Sequence, residues 1–87
     1  MEEKDRAQEA EPVLREALSI RERQFPEGHW KVALTQSLLG AGLAEINQSE
    51  EAILLLTWGY EGLKSKLGKD HQLTQDAYQR LINFQKQ

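Results

Sequence analysis

The sequence predicts an all-α fold, four antiparallel helices arranged as a short helical solenoid. Three observations predict it. Apolar residues recur at helical spacing in four segments. Glycine, proline and polar clusters separate those segments. The chain also matches itself at an offset of 42 positions, within the range of about 20–50 residues that marks stacked repeats. No segment alternates apolar and polar residues with the period of a strand.

The first helix is expected over residues 8–25. Ala10, Val13, Leu14, Ala17 and Leu18 form one stripe, which Arg21 extends with its aliphatic stem. Pro12 belongs in a first turn, where its missing N–H costs nothing, so the helix is expected to start near Gln8. Residues 1–7 are read as a frayed segment and residues 8–87 as one helical domain. Glu11 and Arg15 are spaced to pair along the helix.

"QFPEGH" closes this helix, and the second is expected over 31–46, with Val32, Leu34, Leu38, Leu39, Leu43 and Ile46 apolar. Gly40 and Gly42 each cost about 1 kcal/mol relative to alanine inside a helix, so another backbone is expected to come close. Asn47, Gln48 and Ser49 break the chain, with Ser49 as N-cap. The third helix is expected over 50–67, opened by Glu50 and Glu51 at the positive end of its dipole. Its core face is Ala52, Leu55, Leu56, Gly59, Leu63 and Leu67, with Leu54 and Trp58 on another flank. Gly68 ends it. The fourth is expected over 73–84, with Leu73, Ala77, Tyr78, Leu81, Ile82 and Phe84 apolar and an Asp76–Arg80 pair.

The totals exclude several functions. The 87 residues hold one small domain, and the absence of cysteine excludes disulfides and thiolate metal sites. The net charge is −3, and basic residues are interspersed with acidic ones, which argues against nucleic acid or an anionic membrane as partner. No apolar run approaches the ~20 residues that span a bilayer, and the acidic start is unlike a secretory signal, so a cytoplasmic location is expected. No nucleophile elbow, phosphate loop, HExxH or dinucleotide fingerprint is present. A non-enzymatic chain without cofactor or metal is expected.

Under the 42-residue shift, Ala10 falls on Ala52, Val13 on Leu55, Leu14 on Leu56, Phe25 on Leu67, His29 on His71 and Leu39 on Leu81. The two histidines are therefore read as repeat marks that bond at the start of a following helix, not as a metal pair. The run Gln36-x2-Leu39-Gly40-x2-Leu43, then Ala52-x3-Leu56-x2-Gly59, resembles the tetratricopeptide repeat, as do Ala10-x3-Leu14-x2-Ala17 and Tyr78-x2-Leu81-Ile82. The period exceeds that family's usual length of about 34, and the long helix ending at a Gly/Asp-His turn resembles its kinesin-light-chain-like subclass. Gln36, Leu43 and Ile82 depart from the pattern's aromatic, tyrosine and small residue.

The resemblance covers residues 8–87 and implies a B-A-B-A order of second and first repeat helices. It implies a scaffold that binds a protein or peptide partner in a groove lined by first helices. The positions are Leu34, Ser37, Ala41, Glu45, Asp76, Gln79, Arg80 and Asn83. A second expectation is an assembly surface at Leu54, Trp58 and Tyr60, serving a homo-oligomer or a larger repeat-containing chain.

Overall fold

The computed structural model describes residues 3–85, with side chains from residue 8 onward. They form four helices, α1 (Glu3–Gln24), α2 (Trp30–Glu45), α3 (Ser49–Leu67) and α4 (Gln72–Gln85). The last three begin within one residue of their expected starts. The start of α1 is corrected from Gln8 to Glu3, and Pro12 lies inside it. Pro12 removes the donor that the Gln8 carbonyl would use. Both residues are exposed, so water reaches that carbonyl and the helix continues. Of the segment expected to fray, Met1 and Glu2 lie outside the described residues.

Each turn has a specific stop. Asn47 takes the left-handed conformation (φ 66°) after α2. The Gln48 N–H returns to the Leu43 carbonyl at 2.9 Å and the Asn47 N–H to Ala44 at 3.4 Å, a Schellman closure with asparagine in glycine's place. Ser49 is the first helical residue of α3, and the cap position belongs to Gln48, whose side chain makes no capping bond. This corrects the expected Ser49 cap. Elsewhere glycine supplies the positive φ, 84° at Gly28 and 90° at Gly68.

The two histidines do the same work. His29 Nδ1 accepts the Lys31 N–H at 3.1 Å, and His71 Nδ1 accepts the Leu73 N–H at 3.1 Å. Each caps the helix that follows, satisfying a donor that the first turn leaves open. Each also closes its turn through its own N–H, on Pro26 at 3.1 Å and on Gly68 at 3.3 Å.

The centre of the fold is the α2–α3 contact. A Cβ built on Gly59 would lie 2.7 Å from the Ser37 nitrogen and 2.8 Å from the Ala33 oxygen. One built on Gly40 would lie 2.9 Å from the Leu56 nitrogen. The backbones touch, as the glycines of α2 led one to expect at Gly40. Gly42 differs, since its Cβ would meet only Leu14 Cδ1 at 3.8 Å, an ordinary contact. The pairings Ala33–Gly62, Ser37–Gly59 and Gly40–Leu56 run antiparallel.

This waist divides the core in two. Leu39, Leu43, Ala52 and Leu55 form one cluster, with Leu14, Leu18 and Phe84 against it. Ala33, Leu63 and Ala77 form the other, with Trp30, Leu34, Tyr60 and Leu73 against it. α1 packs on α2, and α4 packs on α3 and touches α2. Val13, expected in the first stripe, is instead exposed, as are Leu38 and Tyr78.

Two arginines tie the outer helices to α2. Arg21 donates to the Lys31 carbonyl at 3.2 Å and to Thr35 Oγ1 at 2.9 Å. Arg80 donates to Ser37 Oγ at 3.1 Å. The expected Asp76–Arg80 pair is corrected, because Asp76 instead accepts from Gln72 Nε2 at 2.8 Å. Ser37 is fully buried, and a charged donor to a buried hydroxyl is stronger than an exposed ion pair.

Two predictions follow from the packing. Gly59→Ala is expected to destabilise the fold by about 2 kcal/mol, since backbone atoms stand where the methyl must go. Gly42→Ala is expected to stabilise it, by at most about 1 kcal/mol, through helix propensity. Urea midpoints of the two variants should move in opposite directions.

Thr74 is 1% exposed and its Oγ1 has no hydrogen-bond partner. The repeat-equivalent position of α2 carries Val32. Thr74→Val is expected to add about 1 kcal/mol by removing an unpaired buried hydroxyl. A urea midpoint that stays level or falls would refute that account.

Candidate functional site

Four of the eight residues expected to line a groove come together. Ala41, Glu45, Arg80 and Asn83 line one cavity of about 250 Å³ between α2 and α4, together with Ala44, Leu56 and Phe84. The small side chains Ala41 and Ala44 leave the space. Arg80 and Asn83 supply donors and Glu45 an acceptor, the set that an extended peptide backbone and its side chains use.

The other four expected residues lie elsewhere. Leu34 packs against the Ala33, Leu63 and Ala77 cluster. Ser37 is 0% exposed, so it is corrected from a lining residue to the buried anchor of Arg80. Its burial comes from Gly59, which lets α3 close over it. Asp76 accepts from Gln72, and Gln79 is exposed outside the cavity lining.

The expected assembly surface separates into two. Leu54 and Trp58 are 50% and 52% exposed, one turn apart on α3. Tyr60 is corrected to a different side of α3, where its ring meets that of Tyr78 at 5.3 Å between centroids. Residues two apart on a helix point in nearly opposite directions, so the three cannot share a surface.

Trp58 instead borders a cavity that the sequence reading missed. It measures about 470 Å³ and lies between the C-terminal end of α1, the turn after it and α3. Val32, Ala33 and Gln36 form its floor, and Phe25 and Gly62 belong to its walls. The sequence signal was Gly59 and Gly62 beside Trp58, which make α3 slim next to its one large exposed ring.

Nearer the start of α1, Arg15 bridges it to α3. It donates to Glu51 at 2.7 and 2.8 Å in a forked pair and also bonds Glu11. The Glu51 bonds raise the Arg15 pKa above its ordinary value and hold the Glu51 carboxyl below its own. Both side chains are more than 40% exposed, so the pair is worth only a few tenths of a kcal/mol, roughly 0.5.

Glu51 has a lowered folded pKa, so its contribution is fully present above the usual carboxylate range. It is lost as pH falls through the lowered value. Glu51→Gln is expected to cost about 0.5 kcal/mol at neutral pH and less at an acid pH well below the usual carboxylate range. Urea unfolding at both pH values checks this, and an equal cost at both would remove the ion pair as its cause.

Among the described residues, no group of three or more His, Cys, Asp or Glu side chains comes together as a metal site. Among them also, no helix is long and apolar enough to cross a membrane. No protein-family model matches the chain, and no curated protein or solved structure matches it.

Proposed function

We propose that this chain is a non-enzymatic protein-interaction module, a tetratricopeptide-like repeat scaffold that holds a partner peptide in the α2–α4 groove. One observation carries the reading. α2 and α4 lie side by side with Ser37 bonded to Arg80, 43 positions apart, close to the 42-residue repeat of the sequence. Repeat equivalents that stack in parallel would leave a groove between first helices, and the cavity lined by Ala41, Glu45, Arg80 and Asn83 supports that reading. The equivalent histidine caps support the same reading. The partner is a protein or peptide segment, and a cytoplasmic setting accords with the cysteine-free sequence.

Panning a random peptide library on the whole chain tests this. Enriched peptides are expected to bind with affinities weakened at least about tenfold by Asn83→Ala, with circular dichroism unchanged. Asn83 is exposed, so its truncation leaves the core intact. Enriched peptides indifferent to Asn83→Ala and Glu45→Ala would sink the groove reading.

The exposed Leu54 and Trp58 favour a second reading, self-assembly through α3 or docking into a larger repeat array. Under it, molar mass by light scattering rises with concentration and Trp58→Ala restores the monomer.

A further inference from the structure

We infer that the cavity beside Trp58 is a docking site for a basic, apolar peptide segment of a partner protein, with an apolar side chain against Trp58 and an arginine or lysine on Glu22 and Glu27. The site lies on a different face of α2 from the groove, near the opposite end of the helix, and stands or falls independently of it.

Its shape comes from the packing of α1 and α3. Both rest on α2, and the Arg15–Glu51 pair joins them at one level. Towards the other end of α1 the space between them is open, and Gly62 contributes no side chain to fill it. Trp58 stands half exposed at this space, with Phe25 on the α1 side and Val32 beneath. A half-exposed tryptophan beside an apolar hollow is the usual anchor of a protein contact.

The charge selects the occupant. The lining carries two carboxylates, Glu22 and Glu27, and no lysine or arginine. Among the described residues neither carboxylate has an ion-pair partner. Two lysines lie near the turn: Lys31 Nζ sits 5.1 Å from the Phe25 ring centroid, and Lys66 reaches towards Gly28. Neither forms an ion pair with Glu22 or Glu27. An incoming guanidinium or ammonium meets these carboxylates while its aliphatic stem covers Trp58, whose π-face also attracts cations.

His29 adds a polar handle. Its Nδ1 accepts the Lys31 N–H, so in the neutral ring the proton sits on Nε2 and is a donor for a peptide carbonyl. A second copy fits less well. A two-fold contact through this patch would set the Glu22 and Glu27 carboxylates of both copies together, in a chain of net charge −3.

The test is two-dimensional ¹H–¹⁵N NMR of the whole chain titrated with a short synthetic peptide of leucine, arginine and alanine. A control peptide carries glutamate in place of arginine. The Trp58 indole and the Glu27 and Gln36 amides are expected to shift saturably with the first peptide. The control is expected to bind at least about tenfold more weakly, and Glu22→Lys combined with Glu27→Lys to weaken the arginine peptide by a similar factor. Both glutamates are exposed, so helicity stays unchanged in the variant. Equal responses to both peptides, no response, or shifts confined to Ala41, Glu45 and Asn83 would overturn the inference. So would Trp58 shifts on concentrating the peptide-free chain alongside a rising molar mass, which would give the site to a second copy.

Discussion

The contact of the α2 and α3 backbones is the constraint on which the rest depends. Ala33, Ser37 and Gly40 face Gly62, Gly59 and Leu56, with a glycine on one side of each pair. Glycine inside a helix is unfavourable by about 1 kcal/mol, and this chain accepts it repeatedly along one seam. In return the large residues lie to either side of the seam, where they form two clusters instead of one. α1 and α4 pack against this centre. They do so with side chains: leucines into the clusters, and an arginine each into a hydroxyl of α2, Arg21 to the buried Thr35 and Arg80 to the buried Ser37.

Most of the fold was legible because local chemistry decides it. Breaks at Gly28, Asn47 and Gly68 place the helix ends, and the close approach at Gly40 could be inferred from the glycine itself. What sequence spacing could not give was competition between partners. Arg80 is spaced to reach Asp76, but the buried Ser37 hydroxyl, contributed from α2, takes it. Ser37 looks like a groove residue until Gly59 is seen to let α3 close over it. The missing N–H of Pro12 points to a helix start, but the helix runs through it, and Gln8, whose carbonyl loses its donor, is an exposed residue. Tyr60 is a different case, since its separation from Trp58 was available from helix geometry alone.

The repeat is clearer in the turns than in the packing. His29 and His71 make the same bond at 3.1 Å, yet helix faces related by the same offset have different neighbours. Ala52, Leu56 and Gly59 of α3 are buried against α2, while their equivalents Ala10, Leu14 and Ala17 of α1 are only half-buried. On α4, Gln75, Gln79 and Ile82 stand where α2 has Ala33, Ser37 and Gly40. Side chains of that size hold a neighbouring helix away. The close backbone contact therefore belongs to the α2–α3 pair and is not repeated on α4, where Gln75 and Gln79 are exposed.

That asymmetry bears on how the proposed groove would act. Arg80 reaches the cavity while one of its nitrogens is committed to Ser37 Oγ. A ligand that pulled the guanidinium away would leave a fully buried hydroxyl without a partner, at a cost of about 1–3 kcal/mol. Ligands that use the remaining N–H groups pay no such penalty. Ser37 thus holds Arg80 in one orientation before anything binds, and the side-chain entropy of a long cation is already spent. The same serine touches Gly59, the residue after Trp58, through its backbone. The two proposed recognition faces of α2 thus both neighbour Ser37, one through Arg80 and the other through Gly59.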